Sequence, residues 1–346
     1  MADVHVRVEG RVGRLTLDRP DALNALNRPM MEAIDAALAR WADDDAVSMV
    51  LIDAEGDRAF CAGGDIAELY HRTKAGDLAF SRDFWRDEYR MNARIKNYPK
   101  PYVALMDGIT MGGGVGLSAH GSHRIVTERS MVAMPECAIG LIPDVGGTFL
   151  LANAPGRLGE FLGLTGTRMG AADAILAGFA DVFVPVARTG ELIDALVDEA
   201  GIEAIGQFVE TPPSGKLSAK CEMIDTLFAP SSVPAILSAL EQEAASEWQD
   251  SVRQALGKGC PLSLHCTLRM IHEARGMARL EEALVREYRY TWRSLEEGAF
   301  IEGIRAAVID KDRNPRWAKP GLNDVTAADV EAMLAGLDEN ELTFAS

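Results

Sequence analysis

PYVALMDGITMGGGVG, residues 101–116, reads as a buried strand running into a glycine-rich turn. Tyr102–Met106 is an apolar run of strand length, Gly108 interrupts it, and Gly112, Gly113, Gly114 and Gly116 follow. AFCAGGD, residues 59–65, repeats the same grammar: a short strand, then Gly63 and Gly64, then the start of a helix. Glycines at such a junction let backbone N–H groups come close to a ligand, and the helix N-terminus adds partial positive charge. Two such turns brought together offer two N–H donors to one oxygen, the arrangement of an oxyanion hole. The plainer reading of either cluster alone is tight helix packing or a simple turn. Neither makes G-x-x-x-x-G-K-[ST] or G-x-G-x-x-G, so an ATP or dinucleotide site is disfavoured.

Outward from these turns, the first part of the chain alternates strand and helix patterns. Val4–Val8 and Arg14–Leu17 read as a hairpin, and Asn27 is placed to cap a helix from Pro29 to Trp41. Ser48–Asp53 reads as a buried strand, with further short strands at Arg124–Val126 and Met131–Met134. After about residue 200 the pattern turns helical, over 235–256, 262–277 and 280–297, with a short last helix near 327–337. The spacing therefore predicts an α/β core over residues 1–200 and a mostly helical region over 201–346.

The chain has 346 residues, with 35 Lys plus Arg against 52 Asp plus Glu, a formal charge of −17. That balance repels phosphate backbones and anionic lipid, so neither nucleic acid nor a membrane is an expected partner. Five cysteines without paired spacing point to reduced thiols. Residues 1–10 lack the look of a targeting segment, and no apolar run is long enough to span a bilayer. A soluble, cytoplasmic protein is expected.

Carboxylates supply the other candidate chemistry. MPECAIGLIPDVGG, residues 134–147, sets Glu136 and Asp144 among apolar neighbours, where desolvation raises a carboxyl pKa towards the range useful for acid–base work. Spacing alone favours a plainer role for Asp144, as the cap of the helix that follows Gly147. Ser118 and His120 lack the G-x-S-x-G setting of a hydrolase nucleophile, and the scattered histidines make no metal motif. Cys61 and Cys137 read as small packing residues, since no base is signalled near them.

Together with LTLDRPDALNAL at 15–26, these segments resemble the crotonase (enoyl-CoA hydratase/isomerase) superfamily. GITMGGGVGL at 108–117, the 134–147 segment and EGIRAAVIDK at 302–311 are most similar to its 3-hydroxyisobutyryl-CoA hydrolase branch, and the likeness then spans nearly the whole chain. The resemblance implies a spiral of ββα turns followed by helices that complete an acyl-CoA pocket. It implies that the Gly64 and Gly113 N–H groups receive the thioester carbonyl and that the Ala62 carbonyl binds the adenine amino group. Glu136 matches an acid/base glutamate, Asp144 a carboxylate of the hydrolase branch, and Glu88 a glutamate lining the substrate pocket there. Hydratases of the superfamily resemble G-G-G-C-E at the second glycine cluster, where this chain has Gly116, so half of a hydratase's carboxylate pair is missing. The implied reaction is hydrolysis of a short branched 3-hydroxyacyl-CoA, as in valine degradation, needing no metal and no cofactor beyond the CoA of the substrate. An enoyl-CoA hydratase or isomerase, or a CoA-binding protein without catalysis, is the alternative. Relatives also imply a homo-oligomer, a trimer or a hexamer.

Overall fold

A computed structural model describes residues 3–199, 201–243 and 246–344. The strands are β1 (Val4–Glu9), β2 (Val12–Leu17), β3 (Met49–Ala54), β4 (Ala59–Cys61), β5 (Tyr102–Met106), β6 (Ile109–Met111), β7 (His123–Val126), β8 (Met131–Ala133) and β9 (Val182–Phe183). They form a six-stranded sheet in the order β1-β2-β3-β5-β7-β9 and a three-stranded sheet in the order β4-β6-β8. Among the described residues the β1–β2 hairpin is antiparallel and the other pairings between these strands are parallel.

The order of the strands shows how the chain winds. β3 and β4, β5 and β6, and β7 and β8 each send one strand to the large sheet and the next to the small one. A helix or helical turn follows each pair, so the expected spiral of ββα turns is present. The corner between β5 and β6 needs glycine: Gly108 has φ +89°, and a Cβ there would lie 2.7 Å from the Arg58 carbonyl oxygen. Strand residues of both parities, such as Val50, Leu51 and Ile52, are buried, as a parallel sheet covered on both faces requires. Val12, Met49, Leu51, Val103, Leu105, Ile125 and Val184 form one core with Leu192, Leu196, Ile205 and Phe208. Each such side chain contributes about 1.5–3 kcal/mol by leaving water.

Two compact units result. The first is Met1–Asp65, Arg90–Ala133 and Arg168–Ser218, and holds both sheets. The second is Ile66–Tyr89, Met134–Thr167 and Ala219–Ser346, and is helical. The sequence suggests one boundary at residue 200; the units instead interleave, because segments 66–89 and 134–167 pack with the later helices. The helix expected over 235–256 is two helices, Val233–Gln242 and Glu247–Lys258, with residues 244 and 245 outside the described ones. Ser246 starts the second by accepting the Gln249 N–H. Among the described residues no helix is long and apolar enough to cross a membrane.

Candidate active site

The glycine turns belong to the first unit. Segment 62–65 leaves β4 and is pinned by the preceding loop: Ala62 N–H donates to the Leu23 carbonyl, Leu26 N–H to Gly63 and Asp65 N–H to Leu26. The Gly64 N–H is skipped by this ladder and has no backbone acceptor among the described residues. Gly113 opens the helix Gly113–Ser118, where geometry leaves the first N–H groups without an intrahelical partner. The two turns abut. A Cβ on Gly63 would lie 3.4 Å from the Met111 carbonyl oxygen and 3.9 Å from the Gly113 nitrogen, and one on Gly114 only 2.1 Å from the Cys61 carbonyl oxygen. Backbone therefore packs on backbone here, and the sequence must be glycine. Ala62 is partly exposed at the start of the first turn, and Gly116 is buried within the short helix. Ser118 is buried and its hydroxyl donates back to the Gly114 carbonyl at 2.7 Å, as a helical serine commonly does.

The carboxylates belong to the second unit. Glu88 and Tyr89 sit on the helix Leu78–Lys96, Glu136 opens the 3-10 turn Glu136–Ile139, and Asp144 lies in the loop before the helix Gly147–Ala152. All three carboxyls are at least nine-tenths buried. The Tyr89 hydroxyl donates to Asp144 Oδ2 at 2.7 Å, whereas Glu88 Oε1 and Glu136 Oε2 are buried with no hydrogen-bond partner among the described residues. Burial pushes Asp144 from 3.8 up to about 6 against the downward pull of the Tyr89 hydrogen bond. Burial, then the charge of Asp144, pushes Glu88 and Glu136 well above the usual carboxylate range. A neighbouring glutamate shows the opposite balance. Burial alone would raise Glu160, yet side-chain hydrogen bonds that include Arg157 and Arg275 hold it down to about 2. Glu160 is a paired structural ion, while burial favours the protonated form of the other three.

The cap expected at Asp144 is absent. The N-cap of the helix is Gly146, and it has no side-chain cap bond; the Asp144 side chain turns to Tyr89 instead. The capping role falls to Glu287, which sequence reasoning missed. This fully buried residue of the helix Leu280–Glu297 accepts the Gly146 and Thr148 N–H groups and the Thr148 hydroxyl. Tyr89 was missed as well. The signal for Glu287 is its phase, since a glutamate stands on the stripe otherwise made by Leu280, Ala283, Leu284, Tyr288 and Thr291. Cys137 is buried, and burial pushes its thiol pKa up, away from nucleophile chemistry.

Residues 12–334 match the model of a family described as enoyl-CoA hydratase/isomerase. The chain is 38% identical over 352 residues to a Gallus gallus protein named 3-hydroxyisobutyryl-CoA hydrolase, mitochondrial, covering 99% of this chain and 91% of that one. A solved structure named as an enoyl-CoA hydratase from Rhodobacter sphaeroides 2.4.1 is 52% identical, with TM-score 0.93 over 99% of this chain and 100% of that one. Another, named as a carnitinyl-CoA dehydratase from Mycobacterium thermoresistibile, is 43% identical with TM-score 0.95, each chain being fully covered. With the ββα spiral, the abutting glycine turns and a match across most of its length, this chain belongs to the enoyl-CoA hydratase/isomerase family.

Proposed function

We propose that the protein hydrolyses the thioester of a short branched 3-hydroxyacyl-CoA, with 3-hydroxyisobutyryl-CoA as its substrate, in a step of valine degradation. The observation that carries this reading is the pairing of a buried, Tyr89-bound Asp144 with a glycine at position 116. A hydratase needs a second glutamate where Gly116 stands; a thioesterase does not. The names of curated relatives agree with hydrolysis. Those of similar solved structures favour hydration, which makes an enoyl-CoA hydratase the second reading.

Attack at the thioester carbonyl carbon builds negative charge on its oxygen, and the Gly64 and Gly113 N–H groups receive it. One donor of this kind is worth about 2.7–4 kcal/mol in the transition state. Glu136 delivers the attack, either through its own Oε2 as a nucleophile or through a water that it deprotonates. Collapse of the tetrahedral adduct breaks the C–S bond, and the departing thiolate takes a proton from the carboxyl cluster. On the water route this yields the acid directly; on the nucleophilic route it leaves a Glu136 anhydride, which water then cleaves to the acid and free Glu136. Asp144 orients the acyl group and handles that proton, while Glu88 hydrogen-bonds the 3-hydroxyl. Adenine is held at the Ala62 carbonyl. CoA enters as part of the substrate, and no metal takes part. A trimer or a pair of trimers is the assembly implied by the family.

Thiol trapping across a panel of acyl-CoA substrates tests the reading. Release of CoA should be fastest from short branched chains bearing a 3-hydroxyl. Equal rates on chains without that hydroxyl would remove Glu88 from substrate recognition. Turnover in heavy-oxygen water separates the two routes, since only a nucleophilic Glu136 acquires the label in its own carboxyl.

A further inference from the structure

The turn that carries Asp144 is strained. Val145, a buried β-branched residue, has φ +53°, and Gly146 follows at φ +80°. L-residues rarely occupy this left-handed region, and β-branched ones least of all. Such strain persists only where the surroundings over-determine it. The turn closes through the Gly147 N–H, which donates to the Asp144 carbonyl at 2.7 Å. Three further donors converge on one side chain: Gly146 N–H to Glu287 Oε2 at 2.7 Å, Thr148 N–H to Oε1 at 3.0 Å, and the Thr148 hydroxyl to Oε1 at 2.5 Å. Among the described residues no cation pairs with this carboxyl, and burial pushes it up to about 8, so it is an expensive way to cap a six-residue helix. A serine or aspartate at the N-cap position, where Gly146 stands, would cap it locally.

We infer that Glu287 is a positioning residue: by accepting these three hydrogen bonds it holds the strained Asp144–Gly147 turn, and through it the Asp144 carboxylate against Tyr89, in the geometry used for hydrolysis. The inference rests on the proposed hydrolysis and deepens it. Glu287 touches no substrate; it acts through the backbone that follows Val145. Replacing it by glutamine exchanges one acceptor oxygen for a donor, so the amide cannot satisfy all three donors at once.

The experiment measures CoA release from 3-hydroxyisobutyryl-CoA by the full chain and its variants. Glu287→Gln should lower kcat at least about tenfold with KM changed less than about threefold, because the turn moves while the binding groups stay. Thr148→Val removes one donor of three and should give a smaller loss, also in kcat. Combined with Tyr89→Phe, either change should cost less than the product of the separate losses, since both act on the same carboxylate. Should Glu287→Gln fail to fold, the Thr148→Val and Tyr89→Phe pair carries the same test. A kcat within twofold of wild type in the folded variants, a loss confined to KM, or losses that multiply would each overturn the positioning role. If the wild-type protein releases no CoA at all, it is the proposed hydrolysis that fails, a result distinct from active wild type with indifferent variants.

Discussion

At Asp144 a helix cap and a reactive carboxylate make opposite demands on stability. Its pKa is 3.8 in the unfolded chain and about 6 in the folded one, so the folded protein binds the extra proton between those values. Stability tied to that proton is present at low pH and is lost as the pH rises from about 4 to 6, a cost of about 3 kcal/mol once Asp144 is ionised. Asp144→Asn escapes this cost and keeps an acceptor for Tyr89. It should melt higher than wild type at pH 8, equal it near pH 4, and hydrolyse at least about a hundredfold more slowly. A lower melting temperature at pH 8 with hydrolysis unchanged would mean that Asp144 is a cap after all. Glu136→Gln should likewise lose at least about a hundredfold in turnover while binding free CoA nearly as well, read by calorimetry and thiol release. Because burial and Asp144 both hold protons on Glu136, the acid limb of kcat/KM should lie at pH 6 or above. An acid limb at pH 4–5 would show a solvated base and contradict the buried cluster.

The abutting turns after β4 and β6 depend on glycine at a single contact. Gly114→Ala puts a methyl group 2.1 Å from the Cys61 carbonyl oxygen, which neither backbone can absorb in place. Turnover should fall at least about a hundredfold as the donors separate, and a wild-type rate in the folded variant would show that the contact is dispensable. Asn27 makes a useful contrast, since its Oδ1 caps the helix Arg28–Ala42 by accepting the Met30 N–H at 2.9 Å. Asn27→Ala should cost about 1 kcal/mol of stability and leave kcat intact. The cap at Asn27 and the strand-to-glycine grammar were legible in the sequence because they are local: residue type and spacing within one turn decide them. The tandem helices at 233–258 were not, because a serine cap inside a continuing helical pattern changes little in the apolar periodicity. Tyr89 and Glu287 were invisible for a different reason. They meet Asp144 and Gly146 across 55 and 141 positions, and no local signal links such distant partners.

Across the whole molecule, each ββα turn delivers one glycine-rich or carboxylate-bearing loop from the end of a short strand. That punctuation gave an α/β core, and the spiral itself was what the family resemblance implied. The division into units could not be read from it, because segments 66–89 and 134–167 join helices that lie far downstream in sequence. Family membership alone does not choose a reaction, since relatives at 38% and 52% identity carry names for different chemistries. That choice rests on Gly116 and Asp144. It is tested most directly by giving the wild-type protein a branched 3-hydroxyacyl-CoA and the corresponding enoyl-CoA in parallel, with free thiol and alkene absorbance recorded together. The account predicts stoichiometric thiol from the hydroxyacyl-CoA and no loss of alkene absorbance from the enoyl-CoA. Rapid loss of alkene absorbance without free thiol from either substrate would contradict it and establish a hydratase.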